Sequence, residues 1–137
     1  FARRFIPIKS YVEKINNRYE LTFFDYNQIA EIPFLSGCFM FLRTDILKQN
    51  CLFDDNFFMY FDVADLTRIF SRISKTIYYP KVSIYHEYQR GAHNNKKLLW
   101  IFIQSTFTYF KKYGWLFDKE RKNLNYKTLK NLGYFKK

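Results

Sequence analysis

Residues 34–66, FLSGCFMFLRTDILKQNCLFDDNFFMYFDVADL, carry the densest pattern in this chain. Ser36-Gly37-Cys38 is a small-residue turn, and the apolar run from Gly37 to Leu42, bounded by Pro33 and by Thr44-Asp45, reads as a buried strand. Thr44 or Asp45 can cap a short helix through about Gln49, and Asn50 is a suitable stop. The aromatic run Phe57 to Phe61 then delivers two acids, Asp62 and Asp65, into a helix expected to continue through Arg72. One reading of the acids is capping, because carboxylates are favoured at the amino-terminal end of a helix dipole. The other is general-base chemistry.

Outward from this stretch the pattern is looser. Residues 1–31 mix basic, aromatic and polar side chains, Pro7 interrupts an early helix, and Tyr11 to Tyr19 could be helical. Downstream, Ile77-Tyr78-Tyr79 and Val82 to His86 are expected as two short strands around a Pro80-Lys81 turn. Lys96 to Tyr113 has helical spacing, with Leu98, Phe102, Tyr109 and Tyr113 near one stripe, Leu99, Ile103, Thr106 and Phe110 beside it, and Gly114 as the stop. Trp100 and Phe107 widen its apolar surface. Such a helix either packs on the core or lies at an interface, its aromatics dipped into a bilayer while Lys111, Lys112 and the basic tail meet anionic headgroups.

Composition narrows the classes. Aromatics make up 23% of the chain, which argues for a packed domain and against disorder. The formal charge is +11, and residues 111–137 hold nine Lys or Arg against Asp118 and Glu120. A basic end of this kind suits phospholipid headgroups or nucleic acid, or is a solvated charged face. Cys38 and Cys51 have no CxxC or Cys/His spacing, and their apolar surroundings favour buried, reduced thiols and weakly a cytoplasmic setting. The longest apolar run, Leu98 to Ile103, is far below the ~18 residues of a membrane span. No GxGxxG or GxxxxGK[ST] is present to cradle phosphates, and no Ser/His/Asp spacing suggests a hydrolase.

SGCFMFLR, FDDNFFMYFDVADL and PKVSIYH together resemble the acceptor-side half of the family 2 glycosyltransferases of the GT-A fold, particularly rhamnosyltransferase-like members. Those enzymes typically read SGxFMxxR, then FDExFFxYxED or DD, then xDL. The resemblance covers roughly residues 15–120 and is most specific over 34–66 and 77–93. It implies an α/β fold: the carboxy-terminal half of a Rossmann-like glycosyltransferase domain over residues 1–95, followed by an amphipathic aromatic helix and basic tail over 96–137. At 137 residues the chain is too short for a whole enzyme of that fold, so a nucleotide-binding half with a DxD motif is expected elsewhere in a longer protein.

What the resemblance implies is sugar transfer, with rhamnose or a similar deoxysugar passing from a nucleotide-sugar donor to a lipid-linked saccharide. The setting would be surface-polysaccharide or O-antigen assembly, peripheral on the cytoplasmic face of a bacterial inner membrane. Asp62 and Asp65 stand at the catalytic acids, Ser36, Gly37, Phe58 and Tyr60 at the acceptor site, Arg90 at the donor diphosphate, and His86 at a divalent metal, Mg or Mn. Neutral imidazole is a good divalent ligand, and an arginine neutralises phosphate charge. The family's usual base is the second acid of its pair. Here that position is Val63, which cannot take a proton. Arg68-Ile69 replaces a common arginine pair, and Cys51-Leu52 replaces a glycine-containing pair. An inactive copy of the enzyme is therefore one alternative, and a non-enzymatic nucleic-acid-binding domain is another. Nucleic acid is not the expected partner, because the aromatics cluster with acids around Asp54–Asp65 instead of interleaving with Lys and Arg.

Overall fold

A computed structural model of the chain describes residues 9–50, 53–87 and 91–135. In chain order these form α1 (Lys9–Glu20), β1 (Ala30–Glu31), α2 (Thr44–Asn50), α3 (Asp62–Ile73), β2 (Ile77–Tyr78), α4 (Gly91–Asn94), α5 (Lys96–Tyr113) and α6 (Lys119–Asn131). The fold is mixed but mostly helical. Its sheet among the described residues is one antiparallel pair, Ala30 opposite Tyr78 and Glu31 opposite Ile77, extended by Ile32 N–H donating to the Thr76 carbonyl at 3.0 Å.

Helix α3 is central because, among the described residues, it carries more of the buried ones than any other element, polar ones among them. Asp65, Leu66, Thr67, Arg68 and Phe70 are buried, while Arg72 and Ile73 face solvent. Its start has no side-chain cap. Instead Tyr60 and Phe61 adopt left-handed backbone conformations (φ 64° and 31°), turning the aromatic run into the helix, and Asp62 and Asp65 occupy the dipole-favoured first turn. Two β-branched or aromatic side chains in this region of φ are unusual, and packing holds them: the Phe61 ring lies against Phe102, Tyr109 and Phe110 of α5 at centroid distances of 5.7, 5.1 and 6.3 Å. The Ser105 hydroxyl of α5 donates to the Met59 carbonyl at 2.7 Å, fixing the same loop.

Helix α5 follows the expected bounds. Asn95 caps it, its side chain accepting from the Lys97 and Leu98 N–H groups, and Gly114 (φ 95°) ends it with its N–H donating to the Phe110 carbonyl. The basic tail, to which no element was assigned from the sequence, forms α6. Asp118 caps that helix by accepting from the Arg121 N–H at 2.9 Å, and Leu129 is its buried anchor.

Two expected strands are not strands. Gly37-Cys38 is a turn followed by irregular chain to Arg43, and Val82 to Glu87 is irregular and exposed throughout. Apolar alternation specifies a strand only where a ladder partner is available, and β1 with β2 provides no further edge pairing to either segment. Residues 39–41 and 82–87 make no backbone hydrogen bond among the described residues. Ile77-Tyr78 is the part of the expected 77–79 strand that forms, and Pro80-Lys81 is a turn as expected. Cys38 is an exposed free thiol rather than a buried one, because the turn carrying it stays on the surface. Cys51 lies outside the described residues.

Candidate functional site

The amino-terminal end of α3 gathers most of the residues singled out in the sequence. The Ser36-Gly37-Cys38 turn is closed locally: the Ser36 hydroxyl oxygen accepts from the Cys38 N–H at 3.4 Å and lies 2.9 Å from the Cys38 thiol. This turn sits directly on the first turn of α3. A Cβ at Gly37 would stand 2.6 Å from Val63 Cγ2, so glycine is what allows the backbone to approach a branched side chain there. On another side, a Cβ at Gly91 would meet Leu98 Cδ1 at 2.7 Å and the Tyr60 hydroxyl at 3.7 Å. Tyr60 also packs edge-on against Phe102 at 5.4 Å. Ser36, Gly37, Tyr60, Asp62 and Val63 therefore share one neighbourhood bordered by Gly91. Arg90, the residue before Gly91, lies outside the described residues.

The two candidate acids differ in environment. Asp65 is 1% exposed, and its carboxylate is fully committed. It takes the Lys112 ammonium at 2.7 and 3.0 Å on its two oxygens and accepts from the Tyr113 hydroxyl at 2.7 Å. Lys112 also bonds Asp54 at 2.7 Å. That contact, with bonds from the Asn56 backbone and side chain, holds the Asp54 carboxyl down to about 2. Burial pulls the Lys112 pKa down, but its bonds to Asp54 and Asp65 outweigh that and raise it. Tyr113 is pushed up, by burial first and then by donation to Asp65. Asp62, in contrast, is half-buried and makes no side-chain hydrogen bond or ion pair among the described residues. Of the pair, only Asp62 offers a carboxylate to a ligand.

Phe58 is 80% exposed beside this end of α3, whereas its neighbour Phe57 is buried under Lys112, whose ammonium lies 5.7 Å from the ring centroid. His86 is on the exposed irregular segment after β2 and makes no hydrogen bond or ion pair among the described residues. Nor do the described residues contain any cluster of three or more His, Cys, Asp or Glu groups able to hold a metal. His86 alone does not make up a divalent-metal site. Lys112, expected to face lipid headgroups, points inward to Asp54 and Asp65 because those two buried or half-buried acids need a counter-charge.

A second polar centre ties α3 to α6 and was missed in the sequence. Arg68 is buried, and its guanidinium forks onto Asp118 with two 2.6 Å bonds, reaches Glu120 at 2.6 and 2.8 Å and lies 3.9 Å from the Tyr113 ring centroid. Arg72 adds bonds of 2.6 and 2.8 Å to Glu120. Glu120 is held down to about 2, chiefly by Arg72, and Asp118 is lowered by Arg68. Both acids are about 50 residues from their partners, so no local spacing announces the pairing. The available signal was Arg68 and Arg72 at i and i+4, on one helix face.

A small crevice lined by Glu31, Ser71, Thr76, Leu124, Lys127 and Thr128, among others, shares none of the candidate residues. No helix among the described residues is long and apolar enough to cross a membrane. No protein-family model, no curated protein and no solved structure matches the chain.

Proposed function

We propose that the chain is the acceptor-side part of a family 2 glycosyltransferase of the GT-A fold, transferring a sugar such as rhamnose from a nucleotide sugar to a lipid-linked saccharide. The observation that carries this reading is the convergence at α3: the Ser36-Gly37 turn pressed on Val63, an exposed Phe58, and an Asp62 carboxylate with no partner among the described residues. In an inverting transfer the acceptor oxygen bonds to the anomeric carbon as the bond to the nucleoside diphosphate breaks, and a carboxylate takes the acceptor proton. Asp62 is assigned that proton. Asp65 is a positioning residue, holding Lys112 and Tyr113 beneath the helix end. The aromatic Phe58 supplies an apolar face for a sugar ring, and Ser36 a hydroxyl for its polar edge.

A Mg or Mn ion that would neutralise the departing diphosphate belongs to this proposal as an expectation of the family, with His86 as its candidate ligand on this chain. Val63 favours a second reading, an inactive copy of such an enzyme, since the family keeps its base at that position. One experiment separates the two. The chain, expressed together with whatever precedes Phe1 in its reading frame, is assayed for nucleoside-diphosphate release from thymidine- and uridine-diphosphate sugars in the presence of lipid-linked saccharides. Activity that Asp62→Asn lowers by ~10²–10⁴-fold supports the proposal. Activity untouched by Asp62→Asn refutes the assigned base, and absence of turnover with every donor favours the inactive copy.

A further inference from the structure

We propose that the turn joining α5 to α6 is a wedge that docks the protein on a bilayer surface bearing anionic lipid. Trp115, Leu116 and Phe117 occupy that turn and are 50%, 74% and 86% exposed. Three consecutive large apolar side chains in water lose the hydrophobic free energy that burial would return, and a monomer has no internal reason to present them together. The turn is held out by packing behind it. The Trp115 ring stacks on Phe110 at 4.9 Å and meets Phe107 edge-on at 5.2 Å. Phe107 is itself exposed, and Trp100, one i to i+7 step before it, continues the same face of α5. The result is an apolar strip running along one helix and ending in a protruding turn.

Charge selects the occupant. Lys111 follows Phe107 at i+4 on the exposed face, and Lys119 opens α6 just beyond the turn, also exposed. The two acids nearby do not oppose them, because Asp118 and Glu120 are neutralised by Arg68 and Arg72. With a net charge of +11 on the chain, a second copy brought face to face on this strip meets like charge, whereas an anionic lipid surface meets opposite charge. Nucleic acid would also supply the charge, and Trp115 and Phe117 carry rings, but Leu116 between them is 74% exposed and offers no ring for a base to stack on. Aromatic and leucine side chains dipped at headgroup depth with lysines around them are the composition of an interfacial anchor, and since no described helix can span the bilayer, the contact lies on its surface.

This inference deepens the membrane partner of the preceding proposal, and its test is independent of sugar transfer. Loss of transferase activity would leave the vesicle result standing, and the reverse also holds. The two tryptophans of the chain, Trp100 and Trp115, are both on the strip, so intrinsic fluorescence reports the contact directly. The full chain is titrated with vesicles of phosphatidylcholine alone and of phosphatidylcholine with phosphatidylglycerol. Expected are a blue shift and quenching by brominated acyl chains on the anionic vesicles, with weaker partitioning onto the neutral ones. Leu116→Ser with Phe117→Ser should lower partitioning by roughly tenfold or more while leaving the helical circular dichroism unchanged, since neither side chain is in the core. Lys111→Gln and Lys119→Gln should each cost about fivefold on anionic vesicles only. Parent-like binding by the double serine variant overturns the proposal. So does a tryptophan shift that follows protein concentration without lipid, which would assign the strip to a second copy, or one that appears with single-stranded nucleic acid and not with vesicles.

Discussion

Replacing Asp65 with asparagine should destabilise the protein without directly touching its chemistry, and replacing Asp62 should do the opposite. The Asp65 carboxylate, 1% exposed, receives the Lys112 ammonium on both oxygens and the Tyr113 hydroxyl on one. Hydrogen bonds to a charged group contribute about 1.5–3 kcal/mol each. Asparagine keeps a carbonyl for Lys112, and its amide can meet the Tyr113 oxygen once the hydroxyl rotates, while Lys112 retains Asp54. The expected net loss for Asp65→Asn is therefore ~2–3 kcal/mol. For a chain of this size that lowers Tm by roughly 8–12 °C, read by circular dichroism at neutral pH. Asp62→Asn, with no side-chain partner among the described residues to lose, should stay within about 0.5 kcal/mol of the parent. Pairing Asp65→Asn with Lys112→Gln in a double-mutant cycle should give a coupling of about 1 kcal/mol or more. Parent-like melting of Asp65→Asn, or an Asp62→Asn loss as large, would refute the division of roles between the two acids.

Arg68→Met should cost ~3–5 kcal/mol in urea unfolding, because it strands the Asp118 carboxylate, whose side chain is 2% exposed. Arg68→Lys should recover only part of that, since an ammonium cannot fork onto both Asp118 oxygens while reaching Glu120. Gly37→Ala drives a methyl to within 2.6 Å of Val63 Cγ2 and is expected to cost ~1–3 kcal/mol, with Val63→Ala in the same chain relieving much of it; purely additive losses would rule out the contact. Stability should fall on acidification. Asp54 and Glu120 hold their protons less tightly folded (about 2) than at their ordinary 3.8 and 4.5, so their contribution is complete above about pH 4.5 and is lost as pH falls toward 2. Urea midpoints taken from neutral pH to about pH 3 check this, and Glu120→Gln should flatten the slope.

Helices were legible in the sequence where periodicity and punctuation agreed. Lys96 to Tyr113 shows apolar residues at helical spacing with Gly114 after it, and the helix ends there; the Asn95 cap was not singled out. Helix α6 was hidden because its apolar content is slight, with Leu124 and Leu129 among nine charged or amide side chains, so the only mark of its start was Asp118. The 37–42 and 82–86 segments misled because alternation reports which face could be buried, not whether a neighbouring strand is there to bury it. Ala30-Glu31, the segment that does pair with β2, is too short to carry any alternation. At the candidate site, the sequence offered both Asp62 and Asp65 as acids and favoured Asp62 only because it adjoins Val63. Their separation depends on Lys112 and Tyr113, some 47 residues away, which no local pattern connects to them.

The unpaired backbone at 39–41 and 82–87 divides the molecule by rate of hydrogen exchange. Amides there have no backbone partner among the described residues and are mostly exposed, so they should exchange nearly as fast as in an unfolded chain, whereas those in the buried turns of α3 should open only with the core. The candidate site straddles this boundary, with Ser36 and Gly37 bordering the fast-exchanging side and Asp62 and Val63 on the slow one. A ligand gripped between them would order the unpaired chain at 39–41 beside the turn, at about 1–2 kcal/mol for each backbone residue it fixes. Protection gained at residues 37–41 with no change in α3 would be the exchange signature of an occupied site.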